Sequence, residues 1–311
     1  MSRHRAVSSW TGGGARLKHV LEYGLFRLVT ALVSALPERV ALALGALVGW
    51  LGGSVLRIRR ADVDRHLAHA FPERDAAWRR RVARASYAHL GREAVSTFRV
   101  TSKGPAEVVA RTTMVGFEAF QHAVAQGRGV ILVTGHIGNW ELGGAAFSAR
   151  GLAVDAVAKG MANPLFGADL EASRRRVGVR LVDLSEAPRE ALRSLREGHV
   201  LGLIADQNAR EQGIFVPFLG KEAATFRGPA LFALRTGAPI FLGIPLREPG
   251  VPARYRVTVE RIDAPRTGGL EEDVRALTLA HTAALERAVR AAPEQYFWQH
   301  RRWKTRPSGG S

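Results

Sequence analysis

Hydrophobic positions recur along this chain in two different rhythms, one over the first sixty residues and another over the rest. From Leu17 to Leu36, Leu21, Leu25, Leu28, Leu32 and Leu36 recur at helical spacing, Glu22 and Arg27 are the only charges after Lys18, and Pro37 stops the run. Val40 to Leu56 follows without a single charge, and as a helix it reaches about 25 Å, at or just below the thickness of a bilayer core. Gly45, Gly49 and Gly53 share one face of that helix, the spacing that lets a second helix approach closely. The pattern predicts a helical hairpin or re-entrant anchor over residues 17–60, preceded by a basic arm over residues 1–16. The other reading is a pair of helices buried in a globular core.

Beyond residue 60 the rhythm changes to short apolar runs separated by amphipathic stretches. Ala61 to Leu90 reads as helical, with Arg79, Arg80, Arg81 and Arg84 forming a charged face. Strands are predicted at Val130–Val133, Ala153–Ala158, Val179–Val182, Val200–Ile204, Ile240–Pro245 and Tyr255–Val259, within a set of about seven. Helices are predicted at Gly116–Gln126, from Trp140, after Asn163, at Leu192–Glu197, from Thr225 to Leu234, and at Leu270–Ala291. In that last helix Val274, Leu277, His281 and Leu285 share a stripe, so His281 reads as a packing residue. Phe215–Gly220 reads as a turn-rich apolar segment. Alternating strand and helix signals predict an α/β domain over residues 61–311, with a mostly parallel or mixed sheet flanked by helices.

The chain's most informative stretch is Gly129 to Gly144, GVILVTGHIGNWELGG. Val130 to Val133 is a β-branched-rich run suited to a strand buried on both faces, and Thr134, Gly135, Gly138 and Asn139 break it. Asn139 is a plausible N-cap for a helix starting at Trp140. His136 and Glu141 therefore flank a strand-to-helix turn; on one helix they would diverge by roughly 140°. A histidine beside a carboxylate is minimal equipment for general-base catalysis, since the carboxylate fixes the tautomer and stabilises the imidazolium. The plainer reading is a structural pair at a turn. Position favours the chemical one, because open α/β sheets place ligands outside the carboxyl ends of their strands. Asp206 and Gln207, just beyond the Val200–Ile204 strand, occupy the same topological location, with Asp206 expected to bind or orient a polar group of the acceptor.

The string HIGNWE resembles the His-x4-Glu/Asp motif of the bacterial lipid A late acyltransferases, the lauroyl and myristoyl transferase group within the glycerolipid acyltransferase-like enzymes. Other blocks are similar to the same family in the same order: RIRRADVDRHLAHAFPE from Arg57, ADQNAREQGIFVPFLGKEAATFRGPALFALRTG from Ala205, and PEQYFWQHRRWK from Pro293. The resemblance implies a glycerolipid acyltransferase-like fold and transfer of a fatty acyl chain from an acyl carrier protein or coenzyme A thioester to a hydroxyl of a lipid A precursor. It implies His136 as general base oriented by Glu141, attack by the acceptor oxygen itself, and a place on the cytoplasmic face of the bacterial inner membrane. Asn139, Lys159, Asp206, Gln207 and Arg227 are the expected substrate-binding residues. At one of them the chain departs from the family: Lys159 stands for an arginine and Gly160 for the adjoining proline ahead of Asn163-Pro164, which keeps the charge and loses the bidentate fork. Backbone N–H groups near Gly135 and Gly138, Asn139, and Arg227 are the candidate donors to an oxyanion.

Composition narrows the field further. Cysteine is absent, which excludes disulfides, zinc-thiolate sites and thiol nucleophiles. No histidine cluster has metal-ligand spacing, and neither a phosphate-binding Gly-rich loop with Lys-Ser/Thr nor a Gly-x-Ser-x-Gly elbow occurs, so no metal and no cofactor are expected. The net charge is +17, and residues 1–104 hold 18 Lys and Arg against 7 Asp and Glu. Arg3, Arg5, Arg16 and Lys18 precede the apolar region, and Arg57, Arg59 and Arg60 follow it. Basic flanks on both sides suit an element that dips into a membrane and returns to the cytoplasmic side. Tyr296, Phe297, Trp298 and Trp303, mixed with His300, Arg301, Arg302 and Lys304, suit a membrane interface. A basic surface also suits an acidic acyl carrier protein; no nucleic-acid-binding signature is present. Two alternatives stay open: the same chemistry on phosphatidylinositol mannoside, another glycolipid or a lysophospholipid, and a catalytically idle membrane- or nucleic-acid-binding protein of the same fold.

Overall fold

Val130, Ile131, Leu132 and Val133 are all buried, and their strand, β2 (Val130–Thr134), runs through the middle of the molecule. The structure is a computed structural model that describes residues 13–307, so the expected basic arm over residues 1–16 lies almost wholly outside the described residues. A seven-stranded sheet has the order β1 (Thr112–Val115), β9 (Tyr255–Ile262), β8 (Ile240–Arg247), β2, β5 (Val200–Ile204), β3 (Val154–Ala158) and β4 (Val179–Asp183). Neighbouring strands are parallel except for the antiparallel β8–β9 pair, so the sheet is mixed. β1 was not foreseen: a short strand over half-exposed residues gives little periodic signal.

Side chains alternate across a strand, and β2 accordingly feeds two cores. Ile131 and Val133 join the core covered by α9 (Ala187–Arg196), α10 (Gly228–Thr236) and α11 (Leu270–Ala291). Val130 and Leu132 join the core covered by α5 (Pro105–Arg111), α6 (Phe117–Ala125) and α7 (Trp140–Ser148). Each such buried aliphatic side chain contributes about 1.5–3 kcal/mol. β2 pairs with β5 in register, Thr134 opposite Ile204. The two strands thus end level, and residues two positions past each end are neighbours. That register sets the geometry of the site.

Elsewhere the structure corrects two expectations. The apolar FVPFLG segment is not irregular: it forms β6 (Ile214–Phe218), paired antiparallel with β7 (Lys221–Thr225) in a separate hairpin. The single helix read over Ala61–Leu90 is two, α3 (Arg60–Ala70) and α4 (Ala76–Thr101), with Asp75 capping α4 by accepting from Trp78 N–H at 2.6 Å.

The N-terminal helices are α1 (Gly13–Ala35) and α2 (Glu38–Ser54). The glycine stripe of α2 does admit a close helix, and that helix is α4: a Cβ at Gly45 or Gly49 would overlap the backbone of Gly91 or Tyr87. On α1, Phe26 packs against Phe98 of α4 and Phe166 of α8 (Pro164–Arg176). The outward faces keep Leu21, Leu25, Leu28 and Leu32 of α1, and Leu44, Leu47 and Val48 of α2, exposed. Among the described residues, no helix is long and apolar enough to cross a membrane. The hairpin is therefore a pair of helices laid on α4 and α8 with an apolar outer surface.

Candidate active site

β2 delivers His136 and β5 delivers Asp206 to one point, each two residues beyond its strand. The Asp206 carboxylate grips the histidine twice. Oδ1 accepts from the imidazole Nδ1 at 2.7 Å, and Oδ2 accepts from the His136 backbone N–H at 2.7 Å. Asp206 is only 4% exposed. With Nδ1 donating to the carboxylate, Nε2 carries the lone pair, and the Gln207 side-chain amide lies 3.2 Å from it. The His136 side chain is 16% exposed and stands between Trp140 and Phe297, whose rings lie 5.0 and 5.8 Å away.

Burial alone would push the imidazole pKa down. The charge and hydrogen bond of Asp206, with a further contribution from the charge of Glu141, outweigh it and hold His136 above its ordinary value. Burial likewise opposes ionisation of Asp206, and the His136 contacts, helped by the charge of Arg302, keep its carboxyl below the usual range. Such a histidine can take a proton from a bound hydroxyl through Nε2 and share the resulting charge with a buried carboxylate.

Glu141 lies elsewhere than the spacing suggested. Its carboxylate is engaged by Arg174 of α8 in a bidentate pair at 2.8 and 2.5 Å, and the group hydrogen-bonded to the imidazole is Asp206. The reason is directional: Glu141 sits in the first turn of α7 and points toward α8, whereas Asp206 approaches along the sheet. Asn139 also differs from expectation as a substrate ligand. It is 2% exposed, caps α7 through Leu142 N–H at 3.0 Å, and donates to Glu93 at 2.9 Å. The structure bears out its role as N-cap.

The turn carrying the histidine is locked by its own backbone. Ile137 N–H donates to the Gly135 carbonyl, Gly138 N–H to Gln295, and Asn139 N–H to Pro245. With His136 N–H on Asp206, these donors are engaged and unavailable to an oxyanion. Gly138 has φ +59°, and a Cβ there would strike the Pro245 carbonyl, so only glycine fits this turn. Lys159 is exposed in the loop after β3. Arg227, at the start of α10, pairs with Glu271 at 2.5 Å. Neither makes a contact with the His136 cluster, whereas Gln207 does. Asp206 itself is shielded behind the imidazole.

Beside the dyad opens an apolar pocket between the sheet and helices α7 and α8. Glu141 and Arg174 are charged groups in its lining, beside Trp140 and the apolar Leu132, Phe147, Val157 and Leu203. Its predominantly apolar lining, with a few polar groups, is the character of sites that take an apolar ligand. Among the described residues no group of three or more His, Cys, Asp or Glu is placed to hold a metal ion.

Sequence reading also missed the C-terminal segment's place. Tyr296, Trp298 and Arg302 are buried, and Phe297 N–H donates to the His136 carbonyl at 2.9 Å. The buried Tyr296, Trp298 and Arg302 thus form the back wall of the site, while Arg301 and Lys304 stay exposed. Its one available signal was the density of Trp, Tyr and Arg, which suits a wall needing both bulk and donors.

Comparison with known proteins points the same way. The family described as bacterial lipid A biosynthesis acyltransferase matches residues 14–305. The lipid A biosynthesis lauroyltransferase of Escherichia coli (strain K12) is 27% identical over 280 residues, 89% of this chain and 90% of its own. The palmitoleoyltransferase of lipid A biosynthesis from the same organism is 26% identical over 89% of each chain. A phosphatidylinositol mannoside acyltransferase of Mycolicibacterium smegmatis is 26% identical over 52% of this chain.

Proposed function

The chain belongs to the bacterial lipid A biosynthesis acyltransferase family, and from that premise we propose that it carries a fatty acyl group from an acyl carrier protein or coenzyme A thioester to a hydroxyl of a lipid A precursor, with His136 as general base. The observation that carries the reading is the His136–Asp206 dyad standing beside an apolar pocket, with Trp140 next to both. The acyl chain lies in the pocket, with its thioester carbonyl beside the dyad. The acceptor hydroxyl displaces the Gln207 amide from Nε2 and gives its proton to the imidazole as its oxygen attacks the carbonyl carbon. Asp206 holds the tautomer and balances the imidazolium. When the tetrahedral intermediate collapses, the carbon–sulfur bond breaks and the imidazolium returns the proton to the leaving thiolate.

Glu141 acts at a distance in this scheme. Its charge raises the imidazole's basicity, and its bidentate grip sets Arg174 in the lining of the pocket. The first turn of α7 presents the N–H groups of Trp140 and Glu141, which no intrahelical carbonyl can take, to the developing oxyanion. The exposed apolar faces of α1 and α2, near the basic Arg57, Arg59 and Arg60, seat the enzyme on the cytoplasmic face of the inner membrane at the depth of an interfacial helix.

The test is mass spectrometry of reactions containing the purified protein in detergent micelles, a panel of acyl carrier protein and coenzyme A thioesters, and lipid A precursors. A gain of one acyl group that vanishes with His136→Ala supports the reading and identifies the donor. Untouched lipid A precursors, with acylation of a phosphatidylinositol mannoside or lysophospholipid instead, would move the acceptor.

A further inference from the structure

Arg302 is 2% exposed, among the largest fully buried side chains of the protein. Among the described residues no carboxylate oxygen lies within 4 Å of its nitrogens. Its bonds go to neutral acceptors: the Ala224 carbonyl, the Thr225 hydroxyl, and the Gln207 carbonyl at 3.3 Å. Nε has no partner, and the guanidinium lies 5.6 Å from the centre of the Phe218 ring. A buried cation without a direct counter-ion is costly unless an opposite charge stands close by. That charge is on the page: Arg302 and Asp206 line one small cavity behind the dyad, with Val133, Phe218 and His281. Asp206 is the mirror case, a buried carboxylate whose sole ion-pair partner within 4 Å among the described residues is an imidazole that must be neutral to act as a base.

We propose that Arg302 is a positioning residue of the acyl transfer, its buried guanidinium keeping Asp206 ionised while the His136 imidazole is neutral and fixing the Asp206–Gln207 segment through the Gln207 carbonyl. The proposal rests on the reading of His136 as general base. Two states compete: imidazolium with carboxylate, net neutral, and imidazole with carboxylate, net negative. A fixed positive charge favours the second and so lowers the pH at which the base becomes available.

The neighbouring groups leave that task to Arg302. His281 on α11 and His300 in the C-terminal segment are both pushed down to about 4, chiefly by burial, and are neutral at the working pH. Burial first, then the charge of Asp206 and the hydrogen bond toward it, raise the Tyr296 phenol well above its ordinary range, so it faces the carboxylate as a neutral donor and brings no positive charge. Glu141 is paired with Arg174. His89 and Glu93 of α4, with Arg247 of β8, lie beneath Gly138 and Asn139, on the far side of the turn.

The test compares the pH dependence of kcat/KM for wild type, Arg302→Met and Arg302→Lys in the full-length protein, beside His136→Ala. Loss of the charge is expected to move the acid limb up by about one pH unit or more. Arg302→Lys keeps the limb in place at a lower rate, because a compact ammonium lacks the span of the planar fork that reaches the Gln207, Ala224 and Thr225 acceptors. If His136→Ala is inactive and the Arg302→Met limb stays at the wild-type pH, the proposal is overturned and the general-base reading survives. If His136→Ala retains wild-type transfer, the general-base reading itself fails. Thermal melting gives a readout that needs no activity. In the Arg302→Met background, Asp206→Asn should raise the melting temperature by removing the stranded anion, and an unchanged or lower value overturns the proposal.

Discussion

Two histidine–aspartate pairs sit at opposite ends of the same sheet. At the carboxyl ends of β2 and β5, His136 meets Asp206 at 2.7 Å. At the amino ends of β3 and β5, His199 meets Asp155 at 2.9 Å. Both carboxylates are buried, so pair geometry alone does not separate them. Their surroundings do. Asp155 is gripped by Arg180 at 2.6 and 2.5 Å, which neutralises it outright and leaves His199 an accessory donor. Among the described residues no guanidinium reaches Asp206 within 4 Å, so the group that shares its charge is the imidazole. The first pair also adjoins an apolar pocket and a helix start; the second faces the solvent between strand ends. The two pairs teach that a catalytic dyad is defined by which charge its carboxylate is left to balance, and by what lies next to the free ring nitrogen.

The largest expected contrast follows from removing each imidazole. His136→Ala should lower acyl transfer by about 10³-fold or more, the span expected of a general base with its positioning effect, while His199→Ala stays within about twofold. Rates by mass spectrometry on both variants check this, and an equally inactive His199→Ala would abolish the contrast. Next comes the carboxylate. Asp206→Asn should cost about 10²-fold or more. Its sign on pH is fixed by the raised pKa of His136, which rests on the Asp206 charge. The wild-type base is lost as pH falls through a value above the ordinary histidine value of about 6.5, and without the carboxylate that limb moves to lower pH. A limb that stays put would show that another group sets the basicity.

Much of the first pair was legible in the sequence and its completion was not. The apolar run Val130–Val133, the glycines that break it and the Asn139 cap specify a strand, a turn and a helix locally, and local rules suffice for that. Asp206 was noticed for its place past a strand end, yet its pairing with His136 spans 70 positions and depends on β2 and β5 ending level. Register between non-consecutive strands is a tertiary property. Glu141 illustrates the complementary limit: proximity in sequence suggests a contact with His136, and the direction of α7 carries its carboxylate to Arg174 instead. The glycine stripe of α2 correctly announced a close helix without saying which, and the C-terminal aromatic and basic block suited a wall and a surface equally well by composition.

Glu141→Gln sharpens the comparison from the side of the active pair. The substitution removes a charge that supports the imidazole through space and loosens the grip on Arg174, while leaving the Nδ1–carboxylate bond intact. A loss of about tenfold is expected, with a small shift of the acid limb to lower pH. A loss as deep as that of His136→Ala would mean that Arg174 and Glu141 act on the reacting atoms directly.

The smallest effect belongs to the second pair and appears in stability with activity unchanged. The Asp155 carboxyl is held down to about 2: burial works against ionisation, and the hydrogen bonds from Arg180, Ser194 and His199, with the charge of Arg180, prevail. A folded pKa below the unfolded value of about 3.9 stabilises the fold at pH above that value by about 2 kcal/mol, and the contribution is lost as pH falls toward 2. Asp155→Asn should therefore melt several degrees below wild type at neutral pH, with the gap narrowing between pH 4 and 2. The same variant should transfer acyl groups with an unshifted pH profile. A shift of that profile would mean the two ends of the sheet are electrostatically coupled, and the separation between a balanced pair and a working one would then have to be drawn across the whole of β5.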